Sequence, residues 1–268
     1  MAITIAVLSQ KGGTGKTTMV RSLGDVFERV GLSTLSVDAD PQGNLSDYFD
    51  TDPAAQPTLG EVLAGQARAV EAIHGPVIPA NLGLAEAELI LSGKMGRELT
   101  LRNALREAKR RYDVVLIDCP PTLGLLTVNA LCAADSALLS TEAEYFSLQG
   151  VEQALEVIAL ARDNLNPELK VLGIVLNMAN MRTNHARQTL ETLREHFGDS
   201  VFDTVIRRSI AYAESAERAQ PILAYRPDRG VDYLRLATEL FDRLGMPEER
   251  SATERMAAEL VPAGHSRS

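Results

Sequence analysis

Short runs of consecutive apolar residues alternate along this chain with longer segments of helical spacing. The apolar runs predict strands at residues 3–8, 33–37, 77–79, 112–117, 136–140 and 171–176, and an extended segment at 201–206. The helical spacing predicts helices at residues 16–30, 99–110, 122–133, 148–164, 183–197 and 232–244. Buried strands that alternate with helices are typical of an α/β fold, with a mostly parallel sheet and helices on both faces.

The alternation continues without a Gly/Ser-rich linker to about residue 246, which predicts a single domain over residues 1–246. Residues 247–268 are polar and lack apolar periodicity, so we expect a mobile C-terminal tail. Hydrophobic residues make up 45% of the 268 and charged residues 24%, a globular composition that excludes a disordered chain.

Charge and cysteine content narrow the choice of partners and compartment. The net charge is −9, so binding to DNA or to an anionic membrane would need a local basic patch. No apolar run reaches the roughly 18 residues of a membrane span. Cys119 and Cys132 fit neither a metal-ligand spacing nor a disulfide framework. We therefore expect a cytoplasmic protein that does not bind a membrane.

The sequence SQKGGTGKTT, residues 9–18, follows the first strand and opens the first helix. Its glycines let backbone N–H groups approach phosphate oxygens, and the helix N-terminus favours negative charge. Lys16 can reach the β- and γ-phosphates, and the Thr17 hydroxyl can ligate Mg²⁺. The phosphate-binding residues that we predict are Lys11, Gly12, Gly13, Thr14, Gly15, Lys16, Thr17 and Thr18. The ordinary pattern G-x-x-x-x-G-K-[ST] needs Gly at position 10, but this chain has Gln10 and then a second lysine, Lys11.

Two further strands end in carboxylates, at the edge where parallel sheets bind ligands. In the segment VDADPQGN, residues 37–44, we expect Asp40 to orient the attacking water and to contact Mg²⁺, with Asp38 as its supporting partner. The alternative for Asp38 is a turn that caps the next helix. The apolar run YDVVLI before Asp118 predicts a buried strand that delivers this carboxylate to Mg²⁺.

Asn177, at the end of the strand VLGIVLN, offers a side-chain amide close to the expected position of the nucleotide base. One hypothesis is that this amide binds adenine. A structural role as a strand-ending turn residue explains its position nearly as well.

The segments KGGTGKTT, VDADPQGN and DCPP resemble the ParA/MinD superfamily of P-loop ATPases, whose phosphate loop carries the early lysine. The resemblance covers residues 1–245. It implies ATP and Mg²⁺ as cofactors and a homodimer in which Lys11 reaches the partner's nucleotide, so Lys11, Lys16 and Asp40 become the expected catalytic residues. In this family a Pro-Arg pair lies close to the nucleotide base. Here Arg207 replaces that proline, and Arg208 matches the arginine.

Basic residues are concentrated in the C-terminal half of the chain. Residues 180–235 contain nine Arg, no Lys and eight Asp or Glu. Arg182 lies in the segment MRTN, which is similar to a family segment whose arginine contacts DNA, and Arg208 is the second DNA-binding candidate. For Arg187 and Arg194 a solvated helix face is the better interpretation. Arginine suits phosphate contacts, and phosphate contacts carry no sequence information.

The expected function is therefore that of a ParA/Soj-like partition ATPase, which binds duplex DNA non-specifically, associates with the nucleoid and acts with a ParB-like activator. Three alternatives stay open. They are a ParA-like protein that positions a protein cargo, a MinD-like regulator at the membrane, and a metabolic P-loop enzyme such as a ligase or an iron–sulfur reductase.

Overall fold

A computed structural model describes residues 2–144 and 147–260. Its centre is a parallel sheet of six strands, in the order β3-β2-β4-β1-β5-β6. The strands are β1 (Ile3–Leu8), β2 (Thr34–Asp38), β3 (Val77–Ile78), β4 (Val114–Asp118), β5 (Ser136–Thr141) and β6 (Lys170–Leu176). The predicted fold class, an α/β protein with a mostly parallel sheet, is confirmed.

Helices cover both faces of the sheet. In chain order they are α1 (Lys16–Arg29), α2 (Asn44–Tyr48), α3 (Leu59–Ala64), α4 (Gly83–Ser92), α5 (Thr100–Ala104), α6 (Leu125–Ala133), α7 (Ser147–Asn164), α8 (Asn184–Phe197), α9 (Ala211–Glu217), α10 (Ile222–Tyr225), α11 (Pro227–Leu244) and α12 (Pro247–Leu260). On one face of the sheet, an apolar layer is formed with the six helices from α3 through α8. On the opposite face, the apolar layer is formed with α1, α2, α9, α10 and α11.

Local sequence accounts for the two helices that frame the second layer. On α1 the residues at positions 19, 20, 23, 26 and 27 form one apolar stripe, and all of them are buried. Helix α11 begins with Pro227 in its first turn and ends at Leu244, where it is capped by Gly245 with φ 71°. The two stripes meet where the rings of Phe27 and Phe241 lie 5.0 Å apart.

The segment 99–110 is not the continuous helix that its spacing predicts. It consists of a 3-10 turn at Arg97–Leu99, the short helix α5 and a second 3-10 turn at Ala108–Arg110. The Asn129 side chain of α6 forms two hydrogen bonds with the backbone here: it accepts from the Leu101 N–H and donates to the Arg97 carbonyl. These contacts from a distant element fix the backbone at the start of α5.

Two other expectations are corrected. Residues 201–206 form no strand. Isolated bridges pair Val201 with Ile174 of β6 and Arg207 with Ala179 beyond its end, and the Ile206 N–H donates to the Leu176 carbonyl at 3.0 Å. Residues 247–260, expected to belong to a mobile tail, form α12, which packs against α11. Its buried Thr253 hydroxyl lies 2.9 Å from that of Thr238, and Met256 joins the apolar layer. The rest of the predicted tail, residues 261–268, lies outside the described residues.

Candidate functional site

The phosphate loop leaves β1 at Leu8 and enters α1 at Lys16. Gly15, immediately before the helix, has φ +69°, which disfavours any residue with a Cβ. A methyl group on Gly15 would also lie only 3.0 Å from Asn177 Nδ2 and 3.1 Å from Met178 Sδ. This glycine is therefore required both by the backbone and by the space behind the loop.

Asn177 and Ser140 hold the loop from behind. The Asn177 amide donates to the Thr14 carbonyl (2.9 Å) and to the Ser140 hydroxyl (3.1 Å), and Ser140 donates to the same carbonyl (3.2 Å). The Asn177 Oδ1 accepts from the Met178 N–H at 2.8 Å, and Asn177 is completely buried. Because both amide protons are used inside the protein, this geometry favours the structural role of Asn177 over the adenine contact.

Asp118 joins the loop to the centre of the sheet. It ends β4 between Val7 of β1 and Asp38 of β2. Its carboxylate accepts from Lys16 Nζ (2.6 Å) and from the Thr17 hydroxyl (2.7 Å). Burial lowers the pKa of Lys16, but the charge and hydrogen bond of Asp118 outweigh burial, and the pKa is raised. The lysine is therefore charged, and one buried carboxylate fixes both of the side chains predicted to reach phosphate and metal.

Asp38 and Asp40 have different environments at the end of β2. Asp38 is fully buried and accepts from the backbone N–H and hydroxyl of Ser46 (2.9 and 2.7 Å) and from the N–H of Asp40 (3.1 Å). Burial and the charge of Asp118 raise the pKa of Asp38 to about 7. The Asp40 carboxylate accepts from the Gln42 N–H (3.0 Å) and lines the same cavity as Lys16. Asp38 thus holds the turn, and Asp40 is available for chemistry.

Lys11 lies on the surface beside the loop. Its side chain is 67% exposed and forms an ion pair with Glu144, which is 48% exposed. The hydrogen bond and charge of Glu144 raise the pKa of Lys11, and Glu142 adds a smaller effect. Ser147 holds the segment before α7 through hydrogen bonds with the backbone of Glu142 and Glu144. Lys11 is therefore paired with Glu144 on the surface, whereas Lys16 is paired with Asp118 inside the site.

A cavity of about 540 Å³ brings the three motifs together. Residues 11–18 line it, with Asp40 and Pro121 from the other two motifs. Ser9, Gln42 and Asn44, which belong to these motifs, also line the cavity. Sequence reasoning missed the other lining residues, which are Asp47, Tyr48, Met178, Tyr212, Ala213 and Ala216. They lie outside the three motifs, so no sequence signal marks them.

The donor set of this cavity suits Mg²⁺. Thr17 and Asp40 line the cavity, and the buried Asp118 lies behind them, bound to the Thr17 hydroxyl; all three offer only oxygen atoms, which Mg²⁺ prefers. Within residues 2–144 and 147–260, no group of three or more His, Cys, Asp or Glu side chains could hold a metal by itself. We therefore expect a Mg²⁺ ion here to take further ligands from phosphate and water.

A second, arginine-lined cleft of about 430 Å³ lies beyond the end of β6. Its walls are residues 179–182 with Arg207, Arg208 and Arg229. Arg207 is bound to the buried carboxylate of Asp232, with its Nε 2.8 Å from Oδ2. Over the described parts of the chain, neither Arg182 nor Arg208 forms an ion pair, and both are exposed.

The outer arginines of α8 differ from those of this cleft. Arg194 pairs with Asp203 at 2.8 Å, and Arg187 bonds to Asn184 on its own helix. These contacts fit the interpretation of Arg187 and Arg194 as a solvated helix face.

In the part of the chain that the structure describes, none of the helices has the length and apolar character of a membrane-crossing segment.

The first prediction concerns Lys16. We expect Lys16→Ala to weaken the binding of a magnesium–nucleoside triphosphate at least about tenfold, because a charge-assisted phosphate contact is lost. Titration calorimetry measures the effect. Lys109→Ala is the matched control, since Lys109 is a half-buried lysine that binds the Ala133 carbonyl far from the cavity. Unchanged affinity in Lys16→Ala would contradict the assignment.

Known proteins resemble this chain over most of its length. A family model described as "AAA domain" matches residues 2–171. The sporulation initiation inhibitor protein Soj of Bacillus subtilis is 39% identical over 245 residues, which is 88% of this chain and 97% of Soj. The chromosome partitioning protein ParA of Caulobacter vibrioides is 39% identical over 250 residues, 89% of this chain and 94% of that protein.

Solved structures give the same fold with nucleotide bound. Cobyrinic acid a,c-diamide synthase from Mycobacterium smegmatis, with ADP and magnesium, is 36% identical, has a TM-score of 0.75 and covers 82% of this chain and 93% of that one. MinD from Pyrococcus horikoshii, with Mg-ADP, is 27% identical, has a TM-score of 0.74 and covers 92% of this chain and 99% of that one. With the phosphate loop and carboxylates in place, the chain belongs to the ParA/MinD family of P-loop ATPases, with ATP and Mg²⁺ as its cofactors.

Proposed function

We propose that this ATPase is a partition protein that dimerises around ATP, binds duplex DNA without sequence preference and positions a DNA cargo. The observation that carries this proposal is the arginine-lined cleft. It presents the exposed Arg182 and Arg208 on a chain whose net charge is −9. The names of the relatives Soj and ParA support the same class of function.

The position of Lys11 supports dimerisation. Lys16 already occupies the centre of the phosphate loop and is held by Asp118, whereas Lys11 is exposed and paired with Glu144. An exposed ion pair of this kind is screened by solvent and stabilises the protein little, so a triphosphate can compete for the lysine. In our proposal each Lys11 exchanges Glu144 for the nucleotide of the partner subunit. The ATP-bound dimer is then held together by charge.

The environment of Asp40 supports its role in hydrolysis. Its carboxylate shares the cavity with Lys16 and accepts one backbone hydrogen bond. A second oxygen is therefore available to orient a water molecule towards the γ-phosphate. Loss of that phosphate removes the charge that binds Lys11 of the other subunit. Turnover and dimer dissociation are thereby coupled.

Two weak phosphate-binding surfaces become one strong surface in the dimer. Arg182 and Arg208 of one subunit provide few contacts, and the nearby Arg207 is neutralised by Asp232. Linking two such clefts raises the overall affinity through effective concentration. Arginine contacts to phosphates position a protein on DNA but carry no sequence information. DNA binding would therefore require the ATP-bound dimer and would be lost when the dimer dissociates.

The proposed cycle also requires an activator protein and access to DNA in the cell. We propose a ParB-like protein as the activator of a slow basal ATPase, and a cytoplasmic protein associated with the nucleoid. A protein assembly is the alternative cargo, because the same DNA-bound dimer can position either kind of cargo.

An ATP-dependent ligase is the second candidate, since a structural relative is named a diamide synthase. Ligases that obtain ammonia from an amide donor need a reactive cysteine thiolate. Burial raises the pKa of Cys119 to about 12 and that of Cys132 to about 11, so neither thiol in this chain is reactive at neutral pH. ATP turnover that requires a carboxylic acid substrate would favour the ligase instead.

The second prediction concerns Asp40. We expect Asp40→Ala to bind ATP normally but to hydrolyse it ~10²-fold or more slowly, because the water-orienting group is lost. Phosphate release measures the rate, and gel filtration should show a persistent ATP-bound dimer. Asp47→Ala is the matched control, since Asp47 lines the same cavity from α2. Wild-type turnover in Asp40→Ala would assign the role to another acid.

The third prediction concerns Lys11. Lys11→Ala should bind ATP but stay monomeric in light scattering, because no charge reaches the partner's nucleotide. Glu144→Gln should lower the ATP concentration for half-dimerisation two- to fivefold, as expected when an exposed ion pair is removed. Lys94→Ala, at an exposed lysine bound to the Ala64 carbonyl, is the control. A Lys11→Ala dimer of normal stability would contradict action across the interface.

The fourth prediction concerns DNA. A gel shift with unrelated duplexes should require ATP, should not depend on sequence and should weaken steeply as salt rises. Arg182→Glu should abolish the shift, and Arg208→Glu should weaken it, while both variants still dimerise. Arg194→Glu, in a helix-face ion pair, is the control for charge reversal. If wild type shows no ATP-dependent shift at low salt, the DNA proposal fails, and a membrane or protein scaffold is the surface to test.

A further inference from the structure

Helix α4 is apolar on its exposed side as well as on its buried side. The buried side consists of Leu84, Ala87 and Leu91. On the exposed side, the side chains of Leu82, Leu89 and Ile90 are 72%, 75% and 55% exposed. A helix that is apolar all round is normally buried all round. The exposed side of α4 therefore has the character of a contact surface and not that of a solvated helix face.

These exposed residues form one stripe along the helix. The backbone of Leu82 is already helical, so residues 82, 86, 89 and 90 are separated by three or four positions and lie side by side. Among residues 2–144 and 147–260, eight large apolar side chains are exposed, and four of them lie within residues 82–95. Contiguous apolar surface marks an interaction site, whereas scattered exposed residues are normal. We call Leu82, Glu86, Leu89 and Ile90 the outer face of α4.

A carboxylate without an ionic partner lies in the middle of this face. Glu86 is exposed, and no basic side chain in the described residues pairs with it. The two basic residues that follow the helix are engaged elsewhere. Lys94 donates to the Ala64 carbonyl at 2.8 Å. Arg97 pairs with Glu98 at 3.0 Å. The first helical turn favours an acid, but the negative charge of Glu86 stays available to a partner.

This charge distinguishes among the possible occupants. In a twofold pair centred on the outer face, Glu86 would meet Glu86 of the partner subunit, and like charges would repel. A membrane is disfavoured because α4 contains two glutamates and neither Lys nor Arg, whereas helices that lie on membranes are rich in basic residues. A protein segment that combines apolar residues with a basic one complements both features of the face.

Hydrogen bonds connect α4 with the surroundings of both carboxylate motifs. Ala80, three residues before α4, donates to the Ser46 hydroxyl at 2.9 Å, and this hydroxyl donates to Asp38 at 2.7 Å. Glu88 accepts from the N–H of Leu126 at 3.3 Å, in the first turn of α6, which follows the DCPP motif. A partner bound to α4 would therefore contact an element that is bonded towards the nucleotide site at two points.

We propose that the outer face of α4 binds an amphipathic helix of another protein. The apolar residues of that helix cover Leu82, Leu89 and Ile90, and its lysine or arginine pairs with Glu86. Covering the apolar side chains removes them from water, and the charge pair adds specificity. Through the bonds of α4, such a partner can influence ATP hydrolysis. The inference depends on the surface of α4 and not on the proposed role in partition.

The test uses two synthetic helical peptides with the same stripe of leucines, one with a central lysine and one with a central glutamate. Fluorescence anisotropy with the full chain should show that the lysine peptide binds about fivefold or more tightly than the glutamate peptide. Leu89→Asp should weaken the lysine peptide at least about tenfold, because a charge replaces an apolar contact. Glu86→Lys should reverse the preference. Leu160→Asp, at a leucine of α7 that is exposed to a similar degree, is the matched control.

Unchanged binding in Leu89→Asp, or a peptide preference that Glu86→Lys does not alter, would show that the peptides bind elsewhere, and the proposal would be wrong. Failure of both peptides to bind the wild type would also overturn it. A nucleotide-free dimer that dissociates in Leu89→Asp would assign the face to a second copy instead. Sedimentation with anionic phospholipid vesicles that is lost in Leu89→Asp would assign it to a membrane. Both substituted residues are exposed, so thermal unfolding should be unchanged in each variant.

Discussion

The buried carboxylate of Asp118 is the interaction on which the rest of the site depends. Taken alone, a charge at the centre of the sheet would be costly to bury, but here it is paired with Lys16 and bonded to Thr17. The pair fixes the end of the phosphate loop relative to β4. Its neighbour Asp38 is held in turn by Ser46. A triphosphate with Mg²⁺ can replace these internal contacts without leaving a buried charge unpaired, because it offers both an anion for the lysine and a cation for the carboxylate.

Support from behind the loop complements this ion pair. Asn177 and Ser140 both donate to the Thr14 carbonyl, and Met178 packs against Gly15. These residues come from β5 and from the end of β6, so the outer strands also shape the site. The turn at the end of β6 thus holds the phosphate loop through a side-chain amide and through apolar contact.

The sequence predicts those parts of the molecule that local pattern controls. The apolar runs of β1, β4 and β5 and the glycines before α1 specify strands and loop directly, and the fold and family follow from them. Asn129 of α6 fixes the backbone at the start of α5, and α12 docks on α11 through Thr253 and Met256. Such long-range contacts leave no periodic signal. The direction of the Asn177 amide and the positive φ of Met178 also depend on neighbours distant in sequence, so sequence alone left the role of Asn177 open and missed Met178.

The central claim is that Lys11 of one subunit completes the site of the other, and mixing two inactive variants tests it most directly. Lys11→Ala retains Asp40, and Asp40→Ala retains Lys11. In a mixed dimer the nucleotide of the Lys11→Ala subunit meets its own Asp40 and the Lys11 of its partner. We expect ATP hydrolysis by the mixture to rise well above that of either variant alone. Hydrolysis that stays at the sum of the two variants, although mixed dimers form, would contradict it.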